Sequence, residues 1–394
     1  MFYLQAMASA MWFVPCGVVL DAQGLHSIKA YAFATTAVGA IVSPLIFGSM
    51  ADRHVSPVRV LRWLSVAAAM AMTLVALALR LDWGAGIVLA LIQLQALFSM
   101  PTSSIVTAII FSRLRHAKTE FGPVRAMATL GWMSGCWVIS ALNADANERS
   151  AYSTAAMWLV LAGFTFVLPE VEPPKSLERL TLRQRLGWDA LTLLKNHDHR
   201  GVFIAAALFY VPIAAFYPYT PTQLLGLGLT HPSAWMTLGQ VTEVIAMFGL
   251  AVLFARWRVK WIMSVGLAIG VLRFGLFACN SRIAVLSAVT LHGFSLVLVL
   301  ITAQIYIDER VPATWRVRAQ ALLSLLTSGL GNLLGFLGAG WWFDASSRSG
   351  APRWPVFWAG LSVAMAAVLI YFLIAYHGQG AGFRRSPPEP AGRG

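Results

Sequence analysis

Two short sets of polar side chains interrupt otherwise apolar stretches of this chain. Gln240 and Glu243 stand three residues apart in the apolar run from about Ser233 to Phe254, and Arg125, Thr129 and Trp132 are spaced i, i+4, i+7 further upstream. In a helix each set falls on one face. Gln240 and Thr129 can both donate and accept hydrogen bonds to hydroxyls or amides, while Trp132 can stack on a planar ring or a sugar face. Glu243 is the sole carboxylate placed near the middle of a membrane span. An ionisable group there costs about 2.5 to 3.5 kcal/mol on insertion scales unless it faces a polar cavity. In a partly desolvated cavity such an acid is suited to gaining and losing a proton during a transport cycle. The expectation is a transporter with one titratable acid in its cavity.

Other polar groups at membrane depth join the candidate set, each with a structural alternative. Tyr217 and Tyr219 lie in the doubly proline-broken stretch from Phe216 to Gln223. Such breaks are tolerated in a bilayer where they line a cavity or gate, and tyrosines also mark the membrane interface. Gln95 and Asn332 could line the cavity or bond between helices. His292 could contact substrate or hold a second proton, or be a hydrogen-bonded structural histidine. Arg273 has no acid on its own helix and could pair across the bundle with Glu243. Arg125 could snorkel to the interface, and Trp132 could simply pack. Gly131 and Gly135 fit a close helix contact.

These groups need helices to position them, and the composition supplies little else. Of 394 residues 58% are hydrophobic and 11% charged, with a mean hydropathy of +0.70. Apolar windows of spanning length fall near 2–22, 29–51, 60–80, 86–111, 122–142, 152–169, 201–226, 233–255, 260–279, 283–306, 315–342 and 354–376. The chain is expected to be an all-α membrane protein of twelve transmembrane helices in two six-helix bundles, 1–170 and 201–377. A cytoplasmic linker, 171–200, separates them and a disordered tail, 378–394, follows. The first stretch lacks a basic n-region and a small-residue cleavage site, so it reads as a retained helix. Cys16, Cys136 and Cys279 all fall within spans, which argues against a disulfide framework.

Basic residues set the orientation. With the amino terminus inside, the cytoplasmic connections hold most of the lysines and arginines, a positive-inside asymmetry that also explains the net charge of +13. Both termini are then cytoplasmic in a multi-pass inner-membrane protein. The basic groups are spread over short loops facing anionic lipid, so no nucleic-acid partner is expected. No nucleophile–base pair, metal cluster or phosphate loop lies at membrane depth, which argues against an enzyme, a cofactor or a metal. His197-Asp198-His199 resembles a ligand set, but no further ligand lies nearby in sequence and a solvated loop end is expected. The expected partners are a small-molecule substrate, protons and the lipid bilayer, in a monomer.

Six spans, a basic linker and six more resemble the layout of the major facilitator superfamily. The loop after the second span, Gly48-Ser49-Met50-Ala51-Asp52-Arg53-His54 followed by Arg59, resembles that superfamily's G-x-x-x-D-R motif, and Phe254 to Lys260 forms a reduced counterpart after the eighth. Asp52, Arg53 and Arg59 are therefore gating candidates, with a solvated charged loop as the alternative. More specifically, the stretches Tyr3-Leu4-Gln5, Met100-Pro101-Thr102, Phe121 to Trp132, Gln240 to Glu243, Val271 to Ala278, and Asp308 to Val311 running into Arg318-Ala319-Gln320 resemble the nucleoside:proton symporters. The resemblance covers nearly the whole chain in the same order.

That resemblance implies a proton-coupled symporter importing a nucleoside or nucleoside-like polyhydroxylated solute by alternating access between two halves. The family's helix-5 arginine and threonine and helix-8 glutamine and glutamate match Arg125, Thr129, Gln240 and Glu243, and Trp132 stands where an aromatic residue can face the base. The chain departs from the family where its permeases carry polar groups on helices 7 and 10, placing Ala215, Pro218 and Val297 there. A symporter for a sugar or amino-sugar compound is the alternative, followed by a transporter-derived sensor.

Overall fold

The protein is described here by a computed structural model covering residues 1–46, 56–114, 117–169, 188–348 and 351–378. Asp52 and Arg53, most of the linker and the tail beyond Gly378 lie outside the described residues. Among those described, the chain runs through twelve long helical segments: α1 Phe2–Ala22, α2 Lys29–Ile46, α3 Pro57–Arg80, α4 Ala85–Phe111, α5 Ala117–Ala141, α6 Arg149–Phe164, α7 His197–Gly226, α8 Pro232–Arg256, α9 Val259–Ala278, α10 Arg282–Arg310, α11 Thr314–Ser346 and α12 Trp354–Ala375. Nine of these are long and apolar enough to cross a membrane. The others are α2, α5 and α6. A 3-10 helix, Trp188–Lys195, precedes α7.

Most helix ends fall within a few residues of the hydropathy windows; α5 begins before its window, α10 and α11 run past theirs, and α6 falls short. The sixth window reaches residue 169, but α6 stops at Phe164. Arg62 of α3 caps this end: its Nε donates to Thr165 Oγ1 at 2.9 Å and its Nη2 to the Thr165 carbonyl at 3.2 Å. A guanidinium placed there satisfies a terminal carbonyl and opposes the negative end of the helix dipole.

Helices α1 and α7 are each broken near the middle. Helix α1 is interrupted between Phe13 and Cys16, beside Pro15, and α7 between Ile213 and Phe216, beside Pro212. Proline removes an amide donor and crowds the preceding turn. The distal pieces, Cys16–Ala22 and Phe216–Gly226, pack together. Gly17 permits this, since a Cβ there would sit 2.5 Å from the Pro218 carbonyl oxygen. Gly131 and Gly135 similarly bring α5 onto α1, where a side chain on either would strike the Tyr3 or Met7 carbonyl. Helices α10 and α11 each contain a π-helical turn, Val297–Ile301 and Leu325–Gly331.

Contacts between the first six helices and the last six include α1 with α7, α2 with α11 and α5 with α8. Hydrogen bonds between these two sets cluster at one end of the bundle. Asp21, ion-paired to the buried Lys29, also accepts from Thr222 Oγ1 at 2.8 Å. Asp145 Oδ1 accepts from the Ser233 amide at 2.9 Å, Ser140 Oγ accepts from the Ala234 amide at 3.0 Å, and Trp137 Nε1 donates to Thr237 Oγ1 at 3.2 Å. The first two of these three contacts satisfy amides in the opening turn of α8, whose own N-cap residue, His231, contributes no side-chain bond. A residue from the first half thus caps a helix of the second.

Candidate functional site

Below this clasp lies a cavity of about 470 Å³, a size suited to a small organic ligand, for which pockets of about 300 to 1,000 Å³ are usual. Five helices line it. Helix α1 gives Phe2, Gln5, Ala6 and Ser9; α4 gives Ser99, Met100, Ser103, Ser104 and Thr107; α5 gives Arg125, Ala128, Thr129 and Trp132; α7 gives Tyr217; and α8 gives Gln240 and Glu243. Both spaced sets therefore meet on one cavity. Along α5 the lining runs from Arg125 to Trp132, about 10 Å at 1.5 Å per residue.

Aromatic rings close the end nearer the clasp. Phe13 lies at the α1 break with its ring 5.0 Å from Tyr217 and 6.0 Å from Trp132, and Trp132 and Tyr217 are 6.0 Å apart, centroid to centroid. Gln240 is anchored here, its Nε2 donating to Tyr217 Oη at 3.1 Å. Two buried polar atoms in this corner, Gln240 Oε1 and Trp132 Nε1, have no hydrogen-bond partner among the described residues. Unsatisfied buried groups beside a cavity are natural contacts for a polar ligand.

Glu243 lines the cavity partly buried, and no hydrogen bond to its carboxylate is found among the described residues. The cation whose field reaches it is Arg125, on α5 in the other half. Its depth is set by glycines: a Cβ on Gly293 of α10 would fall on the Glu243 amide nitrogen and the Gly239 carbonyl, so α8 and α10 cross in backbone contact at the acid. Overpacking costs about 1 to 3 kcal/mol. Gly293→Ala is accordingly expected to lower the Tm of the purified protein and depress transport; an unchanged Tm would show that the crossing adjusts freely.

The remaining candidates fall elsewhere. Tyr219 does not line the cavity; it is buried at the clasp end, stacked on Phe343 at 4.6 Å with the Lys29 ammonium 5.2 Å over its ring. Gln95 and Asn332 are also absent from the lining. His292 takes its structural alternative. It stacks on Phe216 with centroids 4.0 Å apart, and its Nδ1 lies 2.8 Å from Arg273 Nη1. Arginine only donates, so Nδ1 accepts and cannot carry a second proton in this arrangement. Arg273 therefore bonds His292, not Glu243, and is fully buried with three aromatic rings within 6 Å of its guanidinium carbon. Arg59 is exposed on the first turn of α3.

Several lining groups are not singled out by sequence. Ser99 and Ser103 are spaced i, i+4 on α4, the same one-face signal used for α5, but the short hydroxyls bond back to their own helix and look unremarkable in sequence. Gln5 and Thr102, from two of the motif stretches, meet in space: Gln5 Nε2 donates to Thr102 Oγ1 at 3.3 Å.

A bundle of long apolar helices surrounding a polar cavity, lined by the carboxylate of Glu243, defines a multi-pass secondary transporter. Residues 1–380 match the family model described as nucleoside H+ symporter, and the chain belongs to that family. Among relatives, YegT of Escherichia coli (strain K12) is 29% identical, the alignment covering 95% of this chain and 92% of that one. Nucleoside permease NupG of the same organism is 25% identical over 68% of this chain and 69% of its own. A crystal structure of a mutant of nucleoside transporter NupG superposes with a TM-score of 0.88 at 20% identity, covering 95% of this chain and 98% of that one, which supports the fold.

Proposed function

We propose that the chain is a monomeric inner-membrane symporter, with both termini cytoplasmic, that imports a nucleoside-like polyhydroxylated solute together with protons. The halves 1–170 and 201–377 rock about the cavity between them. The observation that carries this is the placement of Glu243, without a hydrogen-bonded partner among the described residues, in a cavity shared by Arg125, Thr129, Trp132 and Gln240. In the orientation favoured by the basic loops, the clasp lies on the outer face and the cavity opens inward.

The solute is read differently from a standard nucleoside. Ala215, Pro218 and Val297, at the family's polar positions, are all buried and none lines the cavity, whereas Tyr217 does and engages the amide of Gln240. Each missing hydrogen bond is worth about 0.5 to 1.5 kcal/mol, so two or three losses weaken binding roughly tenfold or more. Direct binding assays are expected to find weak or absent uridine and adenosine affinity. For the ligand that does bind, Tyr217→Phe should weaken it about 2- to 10-fold, and Trp132→Ala and Gln240→Ala should each impair it. Micromolar binding of ordinary nucleosides would replace this reading with the plain nucleoside one.

A further inference from the structure

The fold supplies the ligand that the sequence around His197-Asp198-His199 lacks. At the start of α7, a ring nitrogen of His197 and a carboxylate oxygen of Asp198 lie within 4.8 Å of a ring nitrogen of His377, which follows the end of α12. The two imidazoles are exposed, with centroids 4.8 Å apart and planes inclined at 57°, while Asp198 is buried. The expectation of a solvated loop end rested on the lack of a further ligand nearby in sequence, and the fold brings His377 there from far along the chain.

Surrounding bonds hold this group in place. Asn196 Oδ1 caps α7 by accepting from the amides of Asp198 and His199 at 2.9 and 3.1 Å. Asp198 Oδ1 in turn accepts from the amides of His377 and Gly378 at 3.0 and 3.1 Å, which ties the chain after α12 to the first turn of α7. One carboxylate therefore fixes the backbone that carries the second imidazole. His199 does not belong to the set, since its Nδ1 lies 2.9 Å from Tyr306 Oη.

We propose that His197, Asp198 and His377 form a site for a divalent transition-metal ion of the zinc type. Two imidazole nitrogens and one carboxylate oxygen match the ligand preference of such ions, and a hard ion such as magnesium would instead require an oxygen set. Ligands about 2.0 to 2.2 Å from zinc lie roughly 3.3 Å from one another. The exposed imidazoles can close the difference by side-chain rotation, since among the described residues neither ring is hydrogen-bonded, while backbone amides hold their carboxylate partner. A water completes a tetrahedral shell. The ion would staple the beginning of α7 to the end of α12, within the second half and away from the solute cavity.

The test uses full-length protein purified through a histidine-free tag, stripped with chelator and titrated with zinc chloride. Saturable 1:1 binding with a raised Tm is expected, magnesium giving neither. His197→Gln and His377→Gln should each reduce affinity at least tenfold. Substitution with cobalt(II) should give the intense visible bands of a tetrahedral site in the parent protein and not in the double variant. Failure of stoichiometric zinc to bind, equal binding by the double variant, or a cobalt spectrum unchanged from the aqueous ion would each overturn the assignment. Neither histidine contacts the cavity, so these outcomes are independent of the symporter proposal.

Discussion

Glu243→Gln is expected to abolish uphill, pH-driven accumulation while retaining exchange of solute across the membrane. The substitution preserves the side chain's shape and its ability to bond a ligand but removes the exchangeable proton. A coupling group must be charged in one state and neutral in another, and Glu243 is the lining carboxylate. Among the described residues nothing anchors its oxygens, so a glutamine is accommodated without a broken internal bond. The measurement is radiolabelled uptake into proteoliposomes with and without an imposed pH gradient, together with counterflow. Accumulation at the parental level would remove Glu243 from coupling, and loss of counterflow as well would assign it to solute binding alone.

The second large effect is expected at the clasp. Asp145→Ala removes the carboxylate that caps α8 from the opposite half and leaves the Ser233 amide to water or to no partner. Loss of an N-cap costs about 0.5 to 2 kcal/mol, and about 1.4 kcal/mol is a tenfold shift in an equilibrium. In a transporter whose two states are finely balanced, the outward-open population should rise by about that factor. A cysteine introduced at Thr237 in a cysteine-free background should then label from outside roughly ten times faster with an impermeant reagent. Labelling at the parental rate would mean that the Asp21, Lys29 and Thr222 contact closes this face without help from Asp145.

The site is legible in sequence where polar residues recur at helical spacing in an apolar run. Arg125, Thr129 and Trp132 share a face because their spacing demands it, as do Gln240 and Glu243, and the cavity contains all five. What the spacing does not decide is which face of a wholly apolar helix turns inward. In a bilayer the lipid-facing and protein-facing sides are both hydrophobic, so the periodicity that orients a soluble helix is weak. Tyr217 and Tyr219 illustrate this: two residues apart, they point into the cavity and into an aromatic cluster around Phe343, respectively. His292 shows a second limit, because its partner Arg273 belongs to a different helix, and sequence alone offers that arginine to Glu243 instead. His377 shows the same limit at longer range.

The burial of Arg273 also bears on ion selectivity. Its guanidinium sits behind Tyr217, reaching that ring through His292, with two of its nitrogens unsatisfied and no carboxylate bonded to it among the described residues. Arg125 is the cation on the cavity wall itself, against the carboxylate of Glu243. When Glu243 carries its proton, Arg125 is the charged group left on that wall, with Arg273 buried behind it. A positively charged cargo such as an aminated sugar would meet repulsion in the very step where the proton is loaded. Neutral solutes are then expected to enter more readily than cations, so that the compartment would sort its cargo by charge as well as by shape.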